Sequence, residues 1–150
     1  MIGKYNNMKK LFISLLAIIT SVGNVFSQSM TISGGNDHGI VICAQGYLYA
    51  WGTNQSNIGS GLLGLDPNDP DYPGDQKFYT SPQRVKMDNG LTFSQVTAGS
   101  GAFNLALSCK GIVYAWGENT QNQCGQGSGA ATVITEPKPV LCGNDVPGYN

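Results

Sequence analysis

A single histidine, four cysteines and a cluster of carboxylates are the residues of this 150-residue chain whose types could do chemistry. His38 alone would have to serve any Ser-His-acid or Cys-His mechanism, and no G-x-S-x-G turn accompanies it. Asp66, Asp69, Asp71 and Asp75 crowd into "LDPNDPDYPGDQ" (65–76), with enough oxygens for a calcium ion but without the D-x-[DN]-x-[DN]-G spacing that wraps one. The same stretch, broken by Pro67, Pro70 and Pro73, also reads as a solvated loop. Tyr72 within this stretch and Tyr79 just after it are the candidate aromatic contacts for a ligand. Cys43, Cys109, Cys124 and Cys142 contain no C-x-x-C pair, which argues against zinc. Their even number permits disulfides, while Cys43 and Cys109 fall in apolar strands and read first as core residues. No metal, cofactor or catalytic role is assigned, and the chain is expected not to be an enzyme.

The elements that would hold these residues begin after a leader. Lys9 and Lys10 precede an apolar stretch over 11–19 broken only by Ser14, and Val25 and Ser27 stand where a signal peptidase reads small residues. The apolar run falls well short of the roughly 20 residues of a membrane span. Residues 1–27 are therefore expected to be a cleaved signal peptide, and the protein to be secreted or held in a bacterial-type cell envelope. Cleavage would leave five basic against nine acidic residues, a net charge of −4. With no run of Lys or Arg to neutralise phosphates, nucleic acid is excluded as a partner.

Beyond the leader the chain says the same thing twice. "GYLYAWGTN" (46–54) returns 65 residues later as "GIVYAWGEN" (111–119), so Gly46, Trp51 and Gly52 answer Gly111, Trp116 and Gly117. Upstream, "TISGG" (31–35) answers "QVTAG" (95–99), with one residue fewer before the next strand. Downstream, "GLLGLD" (61–66) answers "NQCGQG" (122–127), and "SPQRV" (81–85) answers "EPKPV" (136–140). Self-similarity over tens of residues marks a solenoid, propeller or array. Each copy predicts four short strands, rich in β-branched and aromatic residues and separated by glycine turns, the fourth beginning after Pro82 or Pro137. The expected architecture is all-β: a first repeat over 28–92 with an insertion at 53–80, then a second repeat and the start of a third over 93–150. Each unit is a four-stranded antiparallel blade of an incomplete β-propeller. Trp51 and Trp116 are expected to pack between blades with the indole nitrogen on a backbone carbonyl.

These landmarks resemble the regulator of chromosome condensation repeat over roughly 33–142, the Y-A-W-G core with its following Asn being the most specific part. Phe103 replaces the family's histidine in the second copy, Asn122 stands where Gly is usual and Cys124 where Leu is usual. The resemblance implies a structural role for His38 and seven units in a closed ring. Members include a nuclear exchange factor for a small GTPase, to which an acidic exported chain is similar in fold only, and a secreted inhibitor of β-lactamases, which shows that such propellers bind protein. The expected function is thus a non-catalytic protein-interaction module, with a carbohydrate- or polymer-binding surface protein as the rival. Two blades cannot cover both faces of each other, so the chain is expected to be the N-terminal piece of a longer repeat protein or, alternatively, to stack into a ring of identical copies.

Overall fold

The computed structural model describes residues 31–56, 59–65, 76–85, 87 and 90–142. Ten strands follow in chain order: β1 (Ile32–Gly34), β2 (His38–Ile42), β3 (Leu48–Thr53), β4 (Gln55–Ser56), β5 (Gly59–Ser60), β6 (Phe78–Val85), β7 (Phe93–Ala98), β8 (Phe103–Ser108), β9 (Val113–Glu118) and β10 (Val133–Pro139). They form two antiparallel four-stranded sheets, ordered β1-β2-β3-β6 and β7-β8-β9-β10, and a small β4-β5 hairpin. Residues 1–27, expected to be a signal peptide, Asp66, Asp69, Asp71, Tyr72, Asp75 and residues 143–150 lie outside the described residues.

Strand pairing reproduces the repeat residue for residue. Ile32 opposes Val41 and Val41 opposes Tyr49, as Val96 opposes Ala106 and Ala106 opposes Tyr114. The fourth strands do not start after their prolines. β6 and β10 begin upstream, and Pro82 and Pro137 lie within the irregularity that separates Tyr79 from Gln83 and Ile134 from Lys138. A bulge leaves local backbone unpaired, so a residue without an amide proton fits inside the strand. Part of the expected insertion is therefore sheet: Phe78 and Tyr79 pair with Thr53 and Gly52.

The Y-A-W-G-x-N motif acquires a physical reason. Gly52 and Gly117 have φ of 100° and 101°, and a Cβ on either would strike the carbonyl of Asp37 or Ala102. Those carbonyls accept the amides of Thr53 and Glu118, each at 2.8 Å, so the close approach ties each third strand to the turn before the second. The asparagine that follows is buried in both copies. Asn54 Oδ1 accepts from Leu63 N (3.1 Å) while its Nδ2 donates to Gln76 O (3.4 Å), and Asn119 does the same with Cys124 N (3.0 Å) and Ala131 O (2.9 Å). Each side chain thereby clasps the chain that leads to its fourth strand.

Alternation of side chains across the strands leaves each sheet with two different faces. In the first sheet Ile40, Ile42, Leu48 and Ala50 are buried, while Ile32 is 70% exposed and Val41, Tyr49 and Trp51 are only half-buried. The second sheet, apart from Ala115, which is covered like Ala50, buries the opposite set: Asn104, Ala106, Ser108 and Trp116 are covered, and Leu105 and Leu107, which answer Ile40 and Ile42, are partly open. One core spans both sheets, from Ile40 and Leu63 to Phe93, Ala106 and Trp116.

Candidate interaction surface

The joint between the sheets fixes what each face is built to meet. Ala98 N donates to Ser33 Oγ (3.0 Å) and Phe93 N to Gly46 O (2.8 Å), so β7 runs against the first repeat. At the centre, His38 from β2 meets Asn104 from β8, with Nε2 and Oδ1 3.0 Å apart. Asn104 spends its amide NH2 on Leu62 O (3.3 Å), which turns Oδ1 toward the imidazole and makes His38 Nε2 the donor. Burial holds the His38 pKa below its ordinary 6.5, against smaller upward contributions from the Asn104 bond and Asp37. A base whose folded pKa is depressed is protonated first in the unfolded chain, so its contribution to stability is complete above pH 6.5 and is lost as pH falls toward the lower folded value. Urea midpoints at about pH 7.5 and about pH 5 should therefore fall further for the native chain than for His38→Gln, which retains a donor but does not titrate. An equal fall in both would remove His38 from the joint's energetics.

The tryptophans show which face lacks a partner among the described residues. Trp116 is 0% exposed, with Gly64 of the first repeat seated against its pyrrole edge: a Cβ there would stand 2.6 Å from Nε1. That approach fills the space an acceptor would need, and Nε1 has no hydrogen-bond partner, contrary to the expected carbonyl contact. Trp51 does not pack between sheets at all. Its ring folds back over Gly39, its cross-strand neighbour, where a Cβ would collide with the indole. With Ile32, Gly34, Asp37 and His38 it borders an open concavity of about 410 Å³. A smaller concavity of about 160 Å³ lies on the second sheet among Gln95, Thr97, Leu105, Leu107 and Val113.

The remaining candidates divide cleanly. Gly46 and Gly111 both have φ of 82°, at equivalent turns. Tyr79 is 3% exposed and its hydroxyl accepts from Gln76 N (3.2 Å), so it presents no ring to a ligand; pairing with Gly52 draws it into the core. Cys109 is exposed in the turn after β8 rather than buried in a strand, and Cys43 is half-buried; all four cysteines are free thiols. The core thiol is Cys124, whose pKa is pushed up to about 11 by burial and by Glu118, which keeps it protonated and unreactive. Among the described residues no His, Cys, Asp or Glu group of three or more could hold a metal, and no helix is long and apolar enough to cross a membrane. The polar bridge from His38 through Asn104 to Leu62 was not legible in sequence, since Asn104 answers a glycine in the other copy.

Known proteins with the same repeat bear on this geometry. The chain matches the regulator of chromosome condensation (RCC1) repeat over residues 31–58 and again over 110–146. It is 38% identical over 96 residues to the human probable E3 ubiquitin-protein ligase HERC3, covering 64% of this chain and 8% of that one. It is 32% identical over 112 residues to human HERC6, another probable E3 ubiquitin-protein ligase, covering 75% and 10%. The chain thus spans about a tenth of these relatives. Among solved structures, Prp20p from Saccharomyces cerevisiae, described with its binding properties to Gsp1p and histones, superposes with a TM-score of 0.58 at 23% identity over 78% of this chain and 26% of its own. Human WBSCR16 gives 0.56 at 20% identity, over 75% and 26%. The fold of both sheets is thus that of β-propeller blades, and the chain is a member of the regulator of chromosome condensation repeat family with two repeats.

Proposed function

We propose that this protein is a non-catalytic, secreted or surface-held interaction module whose protein-binding surface forms when further blades cover its two open faces. The observation that carries the reading is the unequal burial of the two tryptophans: Trp116 is sealed by a neighbouring sheet and Trp51, at the same repeat position, is not. His38, the one histidine, has its Nε2 engaged by Asn104 within the joint. Prp20p, a protein of the same fold, is described with protein partners, which supports binding as the role. The sugar-binding alternative loses Tyr79 to the core.

Two measurements test the parts separately. Chain exported by a bacterial host should begin near Gln28 on N-terminal sequencing, and uncleaved cytoplasmic chain would refute secretion. Proteins retained on the immobilised chain should be released neither by free sugars nor by chelator. Release by a simple sugar would replace this reading with the carbohydrate one.

A further inference from the structure

At the centre of the joint the two repeats use different chemistry in the same places. Cross-strand pairing puts His38 and Phe103 at one repeat position, opposite Gly52 and Gly117, and Gly39 and Asn104 at the next, opposite Trp51 and Trp116. The two rings are seated alike: a Cβ on Gly35 would strike the His38 imidazole, and one on Gly99, in the equivalent turn, would strike the Phe103 ring. Each repeat thus holds an aromatic ring on its own turn. What differs is the residue that receives the ring across the joint. Asn104, 0% exposed, offers Oδ1 to His38 Nε2 at 3.0 Å while its amide NH2 is fixed on Leu62 O. Gly39 has no side chain, and the benzene edge of Trp51 lies over it, where a Cβ would collide. That position offers hydrocarbon and no acceptor.

We infer that residues 38 and 104, with their equivalents 103 and 39, form a matching pair by which each repeat accepts the other as its neighbour and refuses a repeat like itself. Two combinations of ring and receiver are sound. Histidine opposite asparagine is the native contact, with donor and acceptor both satisfied. Phenylalanine opposite glycine sets a ring on hydrocarbon and leaves no polar group unpaired. The two like-on-like combinations fail. The first repeat against its own kind brings an imidazole N–H to Gly39, where no acceptor stands. The second against its own kind brings Phe103 to Asn104 and buries Oδ1 without a donor. A buried polar group left alone carries a penalty that a merely weaker contact does not. Repeat proteins are exposed to misassembly among similar units, and telling similar partners apart requires a feature that penalises the wrong one. The landmarks shared by both repeats, Gly52 with Gly117 and Asn54 with Asn119, hold the blades together but are blind to which blade is which. Positions 38 and 104 are not.

A double-mutant cycle on the full chain places all four combinations in one joint. Asn104→Gly sets histidine opposite glycine, His38→Phe sets phenylalanine opposite asparagine, and the two together set phenylalanine opposite glycine. Urea unfolding at about pH 7.5 keeps His38 neutral, because burial holds its pKa below 6.5. Each single change should lower the folded-to-unfolded ratio roughly 10-fold or more, by leaving one buried polar group alone. The double variant should lose no more than His38→Phe does by itself. Asn104→Leu, shaped like asparagine, repeats the cycle without opening space for water, and it serves equally where the glycine variant does not fold. Losses that simply multiply in either cycle would overturn the matching pair. A single variant as stable as the native chain would overturn it as well, since the mismatch would then carry no penalty.

Discussion

Trp116→Ala is expected to cost about 3–5 kcal/mol, a large share of the roughly 5–15 kcal/mol that holds a domain together. The indole is 0% exposed, and its loss opens a cavity where Gly64 of the first repeat now rests, so the change weakens the contact between the sheets as well as the second sheet itself. Trp51→Ala, identical in chemistry and repeat position, should cost under about 2 kcal/mol in dilute protein because half-burial returns less area to water. Trp116→Phe separates volume from polarity. It retains most of the packing and removes an N–H that lacks an acceptor, so its cost should stay near 1 kcal/mol. Urea unfolding of the three variants provides the measurement. Equal losses at Trp51 and Trp116 would contradict the assignment of open and closed faces.

The second large effect belongs to a residue without a side chain. Gly117→Ala should cost more than about 3 kcal/mol, since φ is 101° and the new Cβ would strike the Ala102 carbonyl and lie 2.7 Å from Phe103 Cα, both backbone atoms that cannot rotate away. Relief would require breaking the Glu118 N to Ala102 O bond that fixes β9 to the turn before β8. Gly111→Ala supplies the comparison. There φ is 82° but no atom lies within 4 Å, so only the backbone penalty of about 1–2 kcal/mol remains. Thermal melting that ranks the two variants the other way would show that strain, rather than close approach, fixes these glycines.

The repeat was legible in sequence because its landmarks are backbone requirements. A positive φ admits few residue types, so Gly46, Gly52, Gly111 and Gly117 recur wherever the turn recurs, and at 122 the second copy uses Asn, with φ of 56°, where the first has Gly61 at 89°. Strand types followed from β-branched and aromatic runs. Strand ends did not: the bulge that places Pro82 inside β6 arises from pairing with β3, which no local pattern encodes. Burial was legible only as a period, without its sign. Ile40 and Leu105 occupy one repeat position and are equally apolar, yet one is sealed and the other partly open, because among the described residues the covering sheet lies on one side only. Tyr79 misled for a related reason. It follows a polar, proline-rich stretch, and only its pairing with Gly52 reveals that it belongs to the core.

The asparagine clasps have a consequence for how such a protein can change. Asn54 reaches across 22 residues to Gln76, and Asn119 across 12 to Ala131, yet both bring the chain back to the same register on the third strand. Nearly doubling a loop adds only about 0.6 kcal/mol of closure entropy, less than the roughly 1 kcal/mol that one buried hydrogen bond supplies. Loop length at this edge is therefore nearly decoupled from blade stability. Foreign sequence inserted between the clasped ends would leave the sheet's pairing intact, so this edge can diversify in sequence and length while the architecture beneath it stays constant.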